Sequence, residues 1–115
     1  MFTFNFEKLE IQFADLVYKI TREFPEHERF GLTNQMRRAA VSISSNIAEG
    51  SSRSSRADFA RFVEIATGSL FEVLSQAKVS LNQQFLSQTA YEEIATVAEK
   101  QCRMLSGLRR SLAQD

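Results

Sequence analysis

The chain is poor in the residues on which disulfides, signal peptides and membrane segments depend. Its 115 residues include one cysteine, Cys102, so no disulfide can form within the chain, and a reducing compartment suits it. No apolar run approaches the roughly 20 residues that a membrane-spanning helix needs. The N-terminal stretch MFTFNFEKLEIQF lacks the basic and long apolar segments of a signal peptide. We therefore expect a cytoplasmic protein with no membrane partner.

Histidine is equally scarce, and the common cofactor motifs are missing. His27 is the only histidine, and no HExxH, CxxC or phosphate-binding glycine loop is present. These absences predict no metal, no other cofactor and no enzymatic activity. The 14 basic residues are balanced by 14 acidic ones. A net charge of zero argues against a generally polybasic protein, whose affinity for nucleic acid comes from summed charge.

What the chain does have is helical periodicity, in four stretches where apolar residues recur every three or four positions. No stretch alternates with a period of two. We predict a single domain, residues 1–115, folded as an all-α, up-down-up-down antiparallel four-helix bundle. The predicted core stripes are Phe6, Leu9, Phe13, Leu16, Val17 and Ile20, then Met36, Ala40, Ile43 and Ile47, then Phe59, Phe62, Val63, Ala66, Leu70, Val73, Leu74, Ala77 and Leu81, and finally Ile94, Val97, Ala98, Leu105, Leu108 and Leu112.

Polar caps and chain breakers mark the ends of these helices. Pro25 disfavours helical geometry at the residue before it, so the first helix should end near Glu23. Gly50 is a natural left-handed residue after the second helix. The third helix should run to about Asn82. The predicted N-caps are Asn5, Thr33, Ser55 and Thr89.

Some small and apolar residues lie off the core stripes, which predicts contacts between copies of the chain. Gly68 occupies mid-helix, where glycine is costly, and indicates a close helix contact. Asn46, on the shoulder of the core stripe, is expected to be tied by hydrogen bonds. A monomer buries one apolar face per helix, so a second set needs a partner. The predicted oligomer interface comprises Arg38, Ser42, Ser45, Glu49, Ile65, Gly68, Phe71 and Val79.

Arginine, without lysine, is concentrated in the middle of the chain. Arg53 and Arg56 border a serine-rich turn beside a helix start, where backbone N–H groups also favour anions. A planar guanidinium suits phosphate or carboxylate binding. One interpretation is a surface that binds RNA or DNA; the other is salt bridges between subunits. The residues predicted to bind nucleic acid are Arg37, Arg38, Arg53, Arg56 and Arg61.

Two segments of the chain resemble those of a known family, the 23S rRNA intervening-sequence proteins. They are FPEHERFGLTNQMRRAAVSISSNIAEGSSR (Phe24–Arg53) and IATGSLFE (Ile65–Glu72). The resemblance covers essentially the whole chain. It implies a homopentamer of four-helix bundles around a central axis. Some members are accessory proteins of retroelements, and these resemble a basic barrel that binds nucleic acid and a reverse transcriptase. Ser44 stands where many members have proline.

Two functional hypotheses follow. The first is a non-enzymatic homo-oligomeric scaffold, pentameric as the resemblance implies, that contacts RNA or other nucleic acid through its arginines. The second is a protein–protein interaction module that binds one protein partner and no nucleic acid.

Overall fold

The structure is a computed structural model that describes residues 2–113, with side chains from residue 8 onward. Within that range it contains four long helices and no strand, so the all-α prediction is confirmed. The side chain of Phe6, predicted to join the core, lies outside the described part. The helices are α1 (Phe2–Thr21), α2 (Asn34–Ser51), α3 (Arg56–Asn82) and α4 (Gln88–Ala113).

The helices follow one another around the bundle, and α4 packs back against α1. Contacts across the α2–α3 pair show its direction. Ser80, late in α3, donates a hydrogen bond to the sulfur of Met36, early in α2. Gly50, late in α2, lies against Phe62, early in α3. These two helices therefore run antiparallel. The same holds for α1 and α2, where Arg37 early in α2 bonds to Thr21 at the end of α1, and for α3 and α4, where Arg109 late in α4 bonds to Glu64 early in α3.

The core repeats at helical spacing along every helix, as the sequence predicts. The predicted stripe of α2 is wholly buried, whereas several predicted members of the other stripes lie at the edge of the core. The half-buried members are Leu9, Leu16, Phe59, Phe62, Leu74, Leu81, Val97 and Leu112. The buried apolar residues are Phe13, Ala14, Val17, Ile20, Phe24, Met36, Ala39, Ala40, Ile43, Ile47, Val63, Ala66, Leu70, Val73, Ala77, Leu86, Ile94, Ala98, Leu105 and Leu108.

The limits of α3 agree with the sequence prediction at both ends. The Ser55 hydroxyl accepts a hydrogen bond of 2.9 Å from the backbone N–H of Asp58, which caps the helix start. Beyond the C-terminus, Gln84 adopts a left-handed backbone with φ of 66°. This lets the Phe85 N–H donate to the carbonyl oxygen of Ser80, which satisfies an otherwise unpaired carbonyl group.

Of the other predicted N-caps, Thr33 does precede the first residue of α2, whereas Asn5 and Thr89 are wrong. Thr33 has helical backbone angles and makes no capping bond, because a tight turn leads directly into α2. Ser87, not Thr89, caps α4 by accepting from the N–H of Ala90. Asn5 lies inside α1, which begins at Phe2. That helix ends at Thr21, two residues before the predicted limit.

Gly50 does not terminate α2, contrary to the prediction. It is buried within the helix, and no glycine among the described residues has a positive φ. Its role is steric: a Cβ atom there would lie 2.7 Å from Phe62 Cβ and 2.8 Å from Phe59 Cδ1. The helix continues to Ser51. Glycine is required at position 50 because α3 packs where a side chain would be, and not because the backbone changes direction there.

Two polar side chains, Glu10 and Gln101, lie in the core with polar atoms that no described residue satisfies. Glu10 is 1% exposed and Gln101 is 2% exposed. No partner among the described residues reaches Oε1 of Glu10 or either polar atom of the Gln101 amide. Burial raises the pKa of the Glu10 carboxyl from 4.5 to about 8, because the charged form cannot be hydrated there.

We predict that Gly50→Ala lowers the free energy of unfolding by about 1–3 kcal/mol, since the added methyl group overpacks the α2–α3 contact. Gly107→Ala is the matched control. Its Cβ would have no neighbour closer than 3.9 Å, so the better helix propensity of alanine should raise stability by about 0.5–1 kcal/mol. Urea denaturation followed by circular dichroism measures both. Equal changes in the two variants would contradict the steric role of Gly50.

We also predict that Glu10 makes the protein less stable as the pH rises from about 4.5 to about 8. In this window the unfolded chain has released the Glu10 proton and the folded chain still holds it, so unfolding becomes progressively more favourable. The loss is on the order of 5 kcal/mol. Glu10→Gln removes this term, so its unfolding free energy should depend less on pH. Urea titrations across this range test the prediction, and parallel curves for both proteins would refute it.

Candidate functional site

Two of the predicted nucleic-acid-binding arginines flank one aromatic ring at the α2–α3 turn. The guanidinium carbons of Arg53 and Arg61 lie 5.0 and 4.8 Å from the centroid of the Phe62 ring. Arg53 also forms an ion pair of 2.7 Å with Glu49, one helical turn earlier. Stacking and pairing fix the direction in which these long side chains point.

The third arginine of this turn, Arg56, fastens α3 to the end of α4. It donates hydrogen bonds to the carbonyl oxygens of Ser111 and Leu112. These are among the last carbonyl groups of α4, where the helix dipole favours a cation. We call Arg53, Arg56 and Arg61 the turn arginines. All three are exposed, but each also contacts the protein itself.

The adjacent residues Arg37 and Arg38 have different environments. Arg37 is half-buried, donates a 2.8 Å hydrogen bond to the Thr21 hydroxyl, and stacks on the ring of Tyr18 at 4.6 Å. It therefore ties α2 to α1. Arg38 is exposed, and no carboxylate among the described residues lies within ion-pair distance of it. It lines a groove between α2 and α3 together with Glu72.

The five predicted arginines thus form two groups, not one surface. Arg38 and Arg53 are separated along α2 by 15 residues, which is about 22 Å at 1.5 Å per residue. This is a large part of the 47 Å length of the bundle. A single short ligand could not reach both groups, whereas a long polyanion could.

The predicted interface residues of α2 are divided between outward and inward roles. Ser45 is exposed, while the Ser42 and Ser69 hydroxyls share a hydrogen bond of 2.9 Å across the α2–α3 contact. Asn46 donates to the carbonyl and hydroxyl oxygens of Ser42, at 2.7 and 3.0 Å. This confirms the structural tie predicted for Asn46. Glu49 is exposed and already paired with Arg53 of the turn that follows α2.

The off-stripe apolar residues of α3 are exposed, as the sequence predicts. Ile65 is 43%, Phe71 56% and Val79 45% exposed. At 100° per residue, Ile65 and Val79 lie about 40° apart on one side of the helix, and Phe71 points about 120° away from Ile65. The close helix contact expected at Gly68 is not found among the described residues, because none of their atoms lies within 4 Å of a Cβ built there.

The sequence analysis missed a second exposed apolar surface, at the seam between α1 and α2. It consists of Ile11, Tyr18 and Val41, which we call the seam patch. Val41 borders the shallow pocket that also contains Arg38 and Ser45. The sequence does contain one indication of this patch. Val41 falls off the core stripe of α2, as Ile65 falls off that of α3.

Few groups in the described part of the chain could take part in acid–base or metal chemistry. No set of three or more His, Cys, Asp or Glu side chains between residues 8 and 113 is placed to hold a metal ion. Cys102 is a free, half-buried thiol, and burial, with a smaller effect of Glu99, raises its pKa. None of the helices in residues 2–113 is long and apolar enough to cross a membrane.

Comparisons with known proteins agree with this architecture. The chain matches the family described as 23S rRNA-intervening sequence protein over residues 5–107. A solved structure, from *Bacteroides thetaiotaomicron* VPI-5482, is described as a protein with unknown function from the S23 ribosomal protein family. It superposes with a TM-score of 0.84 at 23% identity, covering 96% of this chain and 99% of the other. No curated protein is similar enough to the chain to count as a match.

Proposed function

Since the chain belongs to the 23S rRNA-intervening sequence protein family, we propose that it is a non-enzymatic, homo-oligomeric scaffold that binds RNA through its arginines. The observation that carries the proposal is the pair of guanidinium groups held beside Phe62 at the α2–α3 turn. Their fixed orientation lowers the entropy lost when they bind a phosphate. Contacts of this kind recognise the backbone and shape of RNA, not its base sequence.

Self-assembly is supported by two exposed apolar surfaces that differ from each other. One is the Ile65–Val79 side of α3, and the other is the seam patch of α1 and α2. A two-fold dimer would use a single self-complementary surface, whereas two different complementary surfaces join copies head to tail, which gives a ring when the rotation between copies closes. This favours a cyclic oligomer, and we propose a pentamer because the family resemblance implies one.

The interface also needs polar groups, and Arg38 and Glu72 supply them. Both line the α2–α3 groove without an ion-pair partner among the described residues. A neighbouring copy that covers the groove would place an acidic side chain near Arg38 and a basic one near Glu72. The net charge at the contact would then be zero. Ser45 and Gly68, with short or absent side chains, would allow the helices of the two copies to approach closely.

The alternative function is a protein–protein interaction module that binds no nucleic acid. The exposed apolar side chains and the zero net charge favour it, because both are compatible with docking an uncharged partner surface. The two functions differ in one measurable property. RNA binding through arginines must weaken steeply as salt is added, and binding of an apolar protein surface must not.

We predict that the protein at micromolar concentration scatters light as a multiple of 13.1 kDa, about 65 kDa for five copies. Gly68→Leu should lower this mass while circular dichroism shows unchanged helix content, because its side chain would project from α3 beside Ile65. Gly107→Leu, the same substitution on α4, should retain the mass. A wild-type protein of 13.1 kDa would contradict self-assembly, and an unchanged Gly68→Leu oligomer would remove Gly68 from the interface.

We further predict binding of a folded 23S rRNA fragment at low salt. The double variant Arg53→Ala/Arg61→Ala should bind about tenfold more weakly and lower the slope of log affinity against log salt by roughly one to two units. Lys100→Ala/Arg103→Ala loses the same charge from exposed positions on α4 and should bind like the wild type. Filter binding over a salt series measures this. Absence of wild-type binding at the lowest salt would leave the interaction module as the function.

A further inference from the structure

The connector between α1 and α2 holds the most exposed large apolar side chain of the described residues. Phe30 is 84% exposed. The turn that carries it is nevertheless firmly built: the Leu32 N–H donates a 3.0 Å hydrogen bond to Oε1 of Glu28. Gly31 makes this bond possible, because a Cβ there would lie 2.7 Å from the same oxygen. The fold therefore presents an aromatic ring to solvent on an ordered turn.

Three arginines line a small cavity at the same connector. Arg22, Arg29 and Arg37 line it, against one carboxylate, that of Glu26. The Glu26–Arg29 ion pair is 3.6 Å long and exposed on both sides, so it competes weakly with another anion. The guanidinium carbon of Arg29 lies 5.5 Å from the centroid of the Phe30 ring. Arg29 thus joins the basic cavity to the exposed ring, and the net charge of the cavity is positive.

We propose that this turn is a binding site for an unpaired nucleotide of RNA, in which Phe30 stacks on the base and Arg22 and Arg29 contact the adjoining phosphate. The proposal rests on the RNA-binding function proposed above, and it adds that the RNA bound at this site is single-stranded. A base inside a duplex is already stacked on its neighbours, so an aromatic side chain can bind only a base that is free. An apolar protein segment fits less well, because it would cover charged guanidinium groups and offer them no anion.

The turn arginines at the α2–α3 end of the bundle provide the reference for testing the Phe30 site. They would contact phosphates of paired and unpaired RNA alike, whereas Phe30 can distinguish the two. A ten-nucleotide single strand and a duplex of the same sequence are therefore the probes. Light scattering of each variant is the control for assembly. The mass should not change, because Phe30 is remote in sequence from the α3 surface.

We predict that Phe30→Ala binds the single strand roughly 5- to 150-fold more weakly, the loss that corresponds to one stacked base, and binds the duplex as the wild type does. Phe30→Tyr keeps an aromatic ring and should retain single-strand binding. Phe30→Trp adds the only tryptophan to a chain that has none. Its fluorescence should be quenched by the single strand and unaffected by the duplex.

The possible failures can be told apart. If Phe30→Ala binds the single strand as well as the wild type, and Phe30→Trp fluorescence does not change, the nucleotide site is refuted while RNA binding by the turn arginines stands. If Phe30→Ala weakens both probes equally, the residue does not select unpaired RNA, and the inference is again wrong. If the wild type binds neither probe at low salt, the RNA-binding function and the nucleotide site both fail.

Discussion

The close approach of α2 and α3 at Gly50 is the constraint on which the rest of the structure depends. With no Cβ in the way, Phe59 and Phe62 pack directly against the backbone of α2. The end of α2 must then lie beside the start of α3, which leaves room for only a short turn. That turn carries Arg53, and the first turns of α3 carry Arg61, the two arginines that lie over the Phe62 ring. A larger residue at position 50 would separate the two helices at the point where the candidate site is assembled.

A second regularity is that arginines lie over aromatic rings at the surface. Arg29, Arg37, Arg53 and Arg61 do so, over the rings of Phe30, Tyr18 and, for the last two, Phe62. A guanidinium covers part of the ring and is itself held in place. Such a side chain loses less conformational freedom on binding a phosphate than a free lysine does. The use of arginine in the middle of the chain therefore has a structural reason that is compatible with binding.

Local sequence patterns predict the elements well and the contacts between them poorly. The limits of α3 follow from Ser55 and from a long apolar stripe, and both signals lie within the helix. The sequence predicts Gly50 as a helix terminator because glycine serves both to end helices and to allow close packing, and only the position of α3 decides between the two roles. Arg37 and Arg38 are neighbours in sequence, yet one turns toward Thr21, 16 residues earlier, and the other toward solvent. No local pattern could make that distinction.

Zero net charge and RNA binding are compatible if the contacts are multiplied by assembly. A single chain offers two small basic groups, Arg37 with Arg38 and the turn arginines, about 22 Å apart along the bundle, and Glu49 partly neutralises the second group. Either group alone would bind a phosphate weakly. In a ring, every copy would present the same groups at the same two levels, and a folded RNA could engage several at once. Binding at one copy raises the effective concentration of RNA at the next. Affinity would then depend on the geometry of the ring and not on the total charge of its subunits. The apolar surfaces of α3 and of the α1–α2 seam, which would hold the ring together, would therefore be as important for RNA binding as the arginines themselves.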